Sequence, residues 1–433
     1  MLAIALALVP ASSTLAAGPD LFEKPFRWRD ARGIVDLEKG RAAPCLVDLD
    51  ADGVCDLVVG ASAEGRVLWY RNAGTQKAPR FVDPGWVQLS QEQEQEQEQA
   101  RARSLDGGPC FADIDADGMP DLLSCVDGEL LLSRGLGQRS FAPSVKLCDR
   151  RGGVIRIPCV GSFAVADWNG DGNPDLVVID ETGKLRVRPI LLRSGAAPAF
   201  GTATLLELGE SEPVPKLGPT PMVVDWDGDG LLDLLVGSSE GSVVFYKGYV
   251  DQGVHLVQPG EVLLQPCYAD QPATLAKNEK TGLLEPQLTR SHRCARPAVC
   301  DWNGDGRLDL VVGDLFVAME PEPQLSKEQT ARRDELRTQS EEVRKQLTVT
   351  RKEIDERVGQ DLRKLGLDPA SEASRDVREA LLRSRKTEDV HHPTLTQRLE
   401  ELTQELEPLT ARQQIHGYVW VYLRRGAALA SAK

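Results

Sequence analysis

The sequence has little histidine, few aromatic residues and no long apolar run after its first residues. Only five of the 433 residues are histidine, which disfavours a zinc site or histidine-based catalysis. No later segment holds eighteen consecutive apolar residues, so we expect no membrane span. Acidic residues outnumber basic ones, 66 against 51, for a net charge of −15. This charge argues against nucleic acid or an anionic membrane as a partner and suits a protein that binds cations.

The first residues are apolar and then small, in the order MLAIALALVPASSTLAA. This pattern predicts a signal peptide over residues 1–17, cut near Ala17, although no Lys or Arg precedes the apolar stretch. A wrongly assigned start or an unstructured tail is the alternative. With a signal peptide, the protein is expected to be secreted, periplasmic or on the cell surface.

Nine cysteines in an exported chain suggest some disulfides, and an odd number leaves at least one thiol unpaired within the chain. Cys148 and Cys159 flank a Gly-Gly turn and are one candidate pair. Cys267 and Cys294 bracket a long irregular stretch and are another. Cys45 and Cys110 occupy equivalent repeat positions and are also compatible with small core residues.

An internal repeat decides the predicted fold. Five segments share the pattern D-x-[DN]-x-D-G-x-x-D, and their first aspartates are 65, 54, 58 and 76 residues apart. A short apolar strand precedes each acidic loop, and a second apolar strand, a turn and a third strand follow. The turn glycines are Gly65, Gly128, Gly183, Gly241 and, after a long insertion, Gly417.

These periods predict an all-β chain, a β-propeller of four-stranded blades. The motif count gives five blades, and the long interval before the last motif leaves six or seven open. The segment KPFRWRDARGIVDL is predicted to supply the missing strand of the last blade and so to close the ring. The expected domains are a propeller over 18–319, a helical insertion over 320–414, and a last strand and tail over 415–433.

The insertion is rich in Glu, Lys, Arg and Gln and has leucine-rich stripes at spacings of three and four. Such stripes predict a helical coiled-coil hairpin, with two or three helices broken near Pro369 and Pro393. The stripes are compatible with a solvated spacer or with self-association.

The acidic loops carry the chemistry. Calcium takes six to eight oxygen ligands, and alternate side chains of a tightly curled loop point to one centre. Position twelve is Val in four loops and Ser in one, so the bidentate Glu of an EF-hand is lacking and the ninth position is expected to close the loop. About five calcium ions are therefore predicted, with a mainly structural role. The predicted ligands are Asp48, Asp50, Asp52 and Asp56; Asp113, Asp115, Asp117 and Asp121; Asp167, Asn169, Asp171 and Asp175; Asp225, Asp227, Asp229 and Asp233; and Asp301, Asn303, Asp305 and Asp309.

With these loops in view, the chain resembles the FG-GAP/VCBS repeat family, the calcium-binding propeller repeats also found in integrin α subunits. The resemblance runs from about Phe26 to Arg425 without the insertion, and its most specific part is the loop motif. It implies calcium at the five loops and a role in adhesion or ligand binding outside the cell. The family's usual seven blades exceed the five motifs present.

The positions of three long segments between the repeat strands predict where binding occurs. The insertion, the QEQEQEQEQ run from Gln91 and the stretch from Cys267 to Cys294 all lie in connections expected at the face away from the calcium loops. We therefore expect an extracellular protein or polysaccharide to bind there, and no catalytic role. The alternatives are a calcium-dependent, lyase-like enzyme acting on polysaccharide and a purely structural scaffold. No compact catalytic constellation is evident in the sequence.

Overall fold

The computed structural model describes residues 21–30, 33–38, 40–61, 66–89, 108–126, 128–137, 139–149, 152–153, 155, 157, 163–179, 184–191, 198–206, 220–265, 273–277, 284–286, 293–319, 323–368, 375–410 and 413–426. The predicted signal peptide, the run from Gln91, Gly65, Gly183, Cys159 and Cys267 lie outside these residues. These described residues are mostly β, with many antiparallel sheets and three α-helices. Its contacts divide it into two compact units, the first being Met1–Ala273, Leu288–Ala318 and Gln414–Lys433.

The first unit contains five related sheets, preceded by short N-terminal strands. The N-terminal strands are β1 (Phe26–Arg27), β2 (Arg29–Asp30), β3 (Gly33–Ile34) and β4 (Asp36–Glu38). The first repeat has β5 (Ala42–Val47), β6 (Asp56–Ala61), β7 (Arg66–Asn72), β8 (Phe81–Trp86) and β9 (Gln88–Leu89). The second has β10 (Cys110–Ala112), β11 (Asp121–Val126), β12 (Glu129–Ser133), β13 (Ser140–Phe141), β14 (Val145–Lys146) and β15 (Cys148–Asp149).

The remaining repeats follow the same plan. The third has β16 (Phe163–Ala166), β17 (Asp175–Ile179), β18 (Leu185–Leu191), β19 (Ala199–Phe200) and β20 (Thr204–Leu206). The fourth has β21 (Thr220–Val224), β22 (Asp233–Gly237), β23 (Val243–Tyr246), β24 (Gly248–Asp251), β25 (Val254–Val257) and β26 (Glu261–Leu264). Two further strands are β27 (Ala273–Lys277) and β28 (Leu284–Pro286), and the fifth repeat has β29 (Arg293–Cys300), β30 (Asp309–Met319) and β31 (Gln413–Tyr422).

Each repeat is an antiparallel meander whose strands pair in chain order. In the first repeat the order is β5-β6-β7-β8, and in the fourth it is β21-β22-β23-β26. All residues of β17 and β22 are buried, so both faces of these second strands are covered. This explains why the second strands read as continuous apolar runs and not as alternating patterns.

The fifth sheet joins the two ends of the chain. β29 pairs with β30, and β31 lies beside β30. On its other side β31 pairs with β1, where Phe26 lies opposite Val421, and with β4, where Leu37 lies opposite Gly417. The N-terminal segment therefore contributes strands to the sheet that contains the C-terminal strand β31.

Neighbouring repeats pack through their first strands and through apolar clusters between sheets. β5 contacts β10, β10 contacts β16, β16 contacts β21, β21 contacts β29, and β29 contacts β5. One cluster joins Leu57 and Tyr70 of the first repeat to Val311 and Val421 of the fifth. The first and fifth repeats are thus neighbours, as are the first and second.

Two tryptophans of the acidic loops, Trp168 and Trp226, are 3% exposed and pack against neighbouring parts of the first unit. Trp168 belongs to a cluster with Val236 and Val257 of the fourth repeat, and Trp226 lies 6.5 Å from the ring of Phe22.

The structure corrects two expectations about the first unit. Cys148 and Cys294 are free thiols, so the disulfides predicted from their spacing are not formed. Cys148 lies opposite Ala199 in a parallel pair of strands instead. Gly417 is inside β31 and not in a turn, because the hairpin it was predicted to close is opened by the insertion. A side chain there would collide with the main chain of Ala42.

The second unit holds the helices and the β27–β28 hairpin. The helices are α1 (Lys327–Lys364), α2 (Arg375–Glu388) and α3 (His391–Leu406), with a short 3-10 turn at Glu407–Leu409. Ser326 begins α1 with a capping box: its hydroxyl accepts the Gln329 amide, and the Gln329 side chain accepts the Ser326 amide. Five of the stripe residues on α1 are buried, namely Leu336, Leu347, Ile354, Val358 and Leu362. The stripe is therefore used inside this unit, where α1 contacts α2 and α3.

No helix among the described residues is long and apolar enough to cross a membrane.

Candidate metal centre

Each acidic loop connects the first strand of a repeat to its second strand. The carboxylate at position one curls the loop by accepting two main-chain amides: Asp48 Oδ1 accepts the amide of Asp52 at 3.1 Å, and Oδ2 accepts that of Gly53 at 2.8 Å. The same pair of bonds recurs at Asp113, Asp167, Asp225 and Asp301. The five loops therefore share one backbone form.

That form needs left-handed backbone at two positions. Position six is Gly in all five loops, and Gly53 has a φ of 85°. Position four is also left-handed and is Ala51, with a φ of 59°, in the first loop. At Gly304, the fourth position of the fifth loop, a Cβ would also overlap the main chain of Lys77. Glycine is required there for space as well as for conformation.

The curled loop brings carboxylates together. Oxygens of three acidic groups lie within 4.8 Å of one another in the first, second and fourth loops. These groups are Asp48, Asp50 and Asp56; Asp113, Asp115 and Asp117; and Asp225, Asp227 and Asp229. The third and fifth loops carry Asn169 and Asn303 at position three, and the two amide oxygens accept the amides of Asp171 and Asp305.

Three carboxylate oxygens of the loops are buried and have no hydrogen-bond partner. They therefore show whether a cation would fit the loops. They are Oδ1 of Asp50, Asp115 and Asp175. A buried carboxylate oxygen without a donor is costly, and clustered carboxylates repel one another. A hard divalent cation that binds oxygen would satisfy both demands, and the donor set is all oxygen. The residues therefore fit Ca²⁺ better than a metal that prefers nitrogen or sulfur.

The aspartate at position nine has a second role that the sequence did not reveal. Asp56 is fully buried; its Oδ1 accepts the amide of Asn72 at 2.7 Å, and its Oδ2 accepts the indole of Trp69 at 2.7 Å. Asn72 ends the third strand, so this carboxylate ties that strand to the loop. Oδ2 also accepts the amide of Leu49 at 3.3 Å, so it is Oδ1 that keeps a further lone pair for a metal. A periodic Asp at the start of each second strand was the only sequence signal.

Burial controls the protonation of these aspartates. It raises the pKa of Asp121 to about 6, although the amides of Gly135 and Ile114 favour the charged form. Burial also raises the pKa of Asp56, Asp175, Asp233 and Asp309. These carboxylates are therefore harder to ionise without a nearby positive charge.

The third repeat departs from the pattern at this position. The amide of Ile190 donates to the carbonyl of Pro174 at 3.1 Å and not to Asp175. Asp175 is 1% exposed and its Oδ1 is left without a partner. Among the five loops, the third thus has a fully enclosed carboxylate with an unused oxygen.

A second polar cluster lies at the other end of the fifth sheet, away from its acidic loop. His416 Nδ1 lies 2.9 Å from Asp36 Oδ2, and the hydroxyl of Tyr418 donates to the same oxygen at 3.2 Å. The guanidinium of Arg27 lies 5.0 Å from the centre of the Tyr418 ring. These residues are up to about 390 positions apart in the sequence, so no local motif could have revealed them.

A model of the FG-GAP-like repeat matches residues 48–124, 113–178 and 225–312, together just over half of the chain. The chain belongs to the FG-GAP-like repeat family. Each match begins at the first Asp of one loop and ends at position twelve of another. An FG-GAP-like repeat in this chain therefore runs from loop to loop. A search among curated proteins finds no match.

Several solved structures are similar to this FG-GAP-like chain at low identity. The Tc holotoxin pore of Photorhabdus luminescens is 14% identical, with a TM-score of 0.34 over 67% of this chain and only 14% of the toxin chain. An Agrocybe aegerita lectin that recognises non-reducing terminal N-acetylglucosamine is 16% identical, with a TM-score of 0.32 over 64% of this chain and 77% of the lectin. The V. cholerae biofilm matrix protein Bap1 is 18% identical, with a TM-score of 0.24 over 68% of this chain and 38% of that protein.

Proposed function

We propose that this chain is an exported, calcium-stabilised β-propeller of five blades that binds an extracellular ligand and is not an enzyme. The observation that carries the proposal is the contact between β29 and β5, which makes the last repeat a neighbour of the first. Direct contact between β21 and β29 also supports five blades, because it makes the fourth and fifth repeats neighbours. Export rests on the pattern of residues 1–17.

Calcium is proposed to fix the loop between the first and second strands of each blade. The support is the convergence of carboxylates and the unpartnered buried oxygens described above. Bound calcium would neutralise like charges at the ends of the strands, so its free energy of binding would add to the stability of the fold. The proposed role is structural, and the calcium supplies no chemistry to the ligand.

Ligand binding is proposed at the end of the sheets away from the acidic loops. There the cluster of Arg27, Asp36 and His416 offers donors, an acceptor and an aromatic neighbour, which suit hydroxyl-rich or peptide ligands. Asp36 is 33% exposed and His416 is 14% exposed, so a ligand can reach their edges. Tyr418 is 3% exposed, and burial beside Asp36 raises its pKa, so it is poorly suited to act as the base of a lyase.

A polysaccharide array tests this function. The purified protein is applied with calcium and with EGTA, beside the variants Asp36→Ala and His416→Ala and the control Asp251→Ala, an exposed residue of β24. Binding that is lost with EGTA and with the first two variants, but kept by the control, supports the proposal. Binding indifferent to all four changes rejects the proposed face, and release of unsaturated sugar products would establish an enzyme instead.

A further inference from the structure

A basic residue near the end of the third strand accompanies some of the acidic loops and not others. In three repeats, the second residue of the second strand pairs with a third-strand residue that is directly followed by a basic residue. These basic residues are Arg71, Arg134 and Lys247. In these repeats position three of the loop is Asp. In the third and fifth repeats the equivalent residues are Pro189 and Leu423, and position three is Asn. An extra negative charge in the loop is thus matched by a positive charge on the neighbouring strand.

Lys247 makes the closest of these contacts. Its ammonium donates to Asp227 and lies 2.7 Å from Oδ2 of Asp229. Both aspartates belong to the group that converges in the fourth loop with Asp225. The ammonium therefore bridges two carboxylates that a metal ion would bridge.

The arginines of the first two repeats leave their loops open. Arg134 Nε is 3.5 Å from Oδ2 of Asp115, and Oδ1 of Asp115 stays buried and unpartnered. Oδ1 of Asp50 is likewise unpartnered, as is Oδ1 of Asp175 in the third loop. Within the part of the chain that the structure describes, the fifth loop, with Asn at position three, has no such oxygen, and neither has the fourth loop despite its Asp at position three. In the fourth loop, the ammonium of Lys247 already supplies a positive charge to the carboxylates.

We propose that Lys247 is a built-in cation that takes the place of calcium in the fourth loop, and this rests on the proposed calcium binding of the other loops. A tethered ammonium competes at a high effective concentration, and a calcium ion would have to break two charge-assisted hydrogen bonds to enter. At calcium concentrations that fill the third loop, the fourth loop therefore holds the ammonium of Lys247 and no calcium ion. The chain binds one ion fewer than its motifs suggest.

Calcium stoichiometry measured by equilibrium dialysis on the full chain tests this inference. Lys247→Met keeps the length of the side chain and removes its charge, so this variant is expected to bind one more calcium ion per chain than the wild type. Its melting temperature should also rise more on addition of calcium. Lys146→Met is the control, because Lys146 pairs with Glu129 at 2.7 Å outside the loops, and its stoichiometry should equal that of the wild type.

Two further variants make the test independent of Lys247→Met. Asp225→Asn in the fourth loop should leave the calcium count of the wild type unchanged, whereas Asp167→Asn in the third loop should lower it by one. Loss of an ion in Asp225→Asn, or an unchanged count in Lys247→Met, overturns the inference while leaving calcium binding intact. A wild type that binds no calcium at all overturns the proposed calcium role and this inference together.

Discussion

Gly313 of the fifth repeat packs directly against the main-chain carbonyl of Ala42 in the first. A Cβ at position 313 would overlap that carbonyl, which has no flexible end that could move aside. Gly313→Ala is therefore expected to lower the free energy of unfolding by about 2–3 kcal/mol. Urea unfolding measures this change. Gly359→Ala, in a helix with open space around the glycine, is the control and should be neutral or stabilising. Equal effects of the two substitutions would contradict the close contact.

The carboxylate of Asp233 holds two buried amides, those of Trp226 at 2.8 Å and Gly248 at 2.7 Å. Asp233→Ala leaves both amides without a partner, so we expect a loss of about 3 kcal/mol in the free energy of unfolding even with the metal removed. Chemical denaturation in EDTA gives the value. Asp251→Ala, at an exposed position, should change it by less than about 0.5 kcal/mol. If Asp233 acted only as a metal ligand, its substitution would have no effect in EDTA.

The raised pKa of Asp121 predicts how stability depends on pH without calcium. Its pKa is about 6 in the folded chain and 3.8 ordinarily, so between these values the folded state keeps a proton that the unfolded state has released. The stabilising contribution is complete below about pH 4 and is lost as pH rises through about 6. In EDTA, the melting temperature of Asp121→Asn relative to that of the wild type should therefore rise between pH 4.5 and 7. A constant difference across this range would refute the shift.

Substitution of two valines of α1 separates the effect of side-chain packing on stability from the effect of helix propensity. Val358 is fully buried against the other helices, and Val349 is 58% exposed on the same helix. Val358→Ala should destabilise the helical unit by about 2 kcal/mol through the lost burial and the cavity. Val349→Ala removes the same atoms without a cavity and should be neutral or slightly stabilising. Amide hydrogen exchange in α1 distinguishes the two, and similar exchange in both variants would show that the stripe is not a packed core.

The local parts of this molecule could be predicted from the chain. The strands on both sides of each loop follow from apolar runs, and the break between α2 and α3 lies three to four residues before Pro393. The loop curvature follows from Asp at position one and Gly at position six, since these residues determine hydrogen bonds and φ within a few positions. The predicted disulfides and the turn at Gly417 were wrong, because both depend on which distant strand lies alongside.

By itself, then, the sequence determined the repeat, the acidic loops and the helical insertion, because each arises from interactions between residues close in the chain. The packing of the strands, and not the sequence, makes Asp56 and three of its four equivalents hold the third strand and lets Lys247 reach two loop carboxylates. It alone placed Asp36 beside His416, which is 380 residues away. Such contacts depend on strand register and on the order in which sheets pack. A pattern of residues close together in the sequence carries no information about strand register or about the order of the sheets.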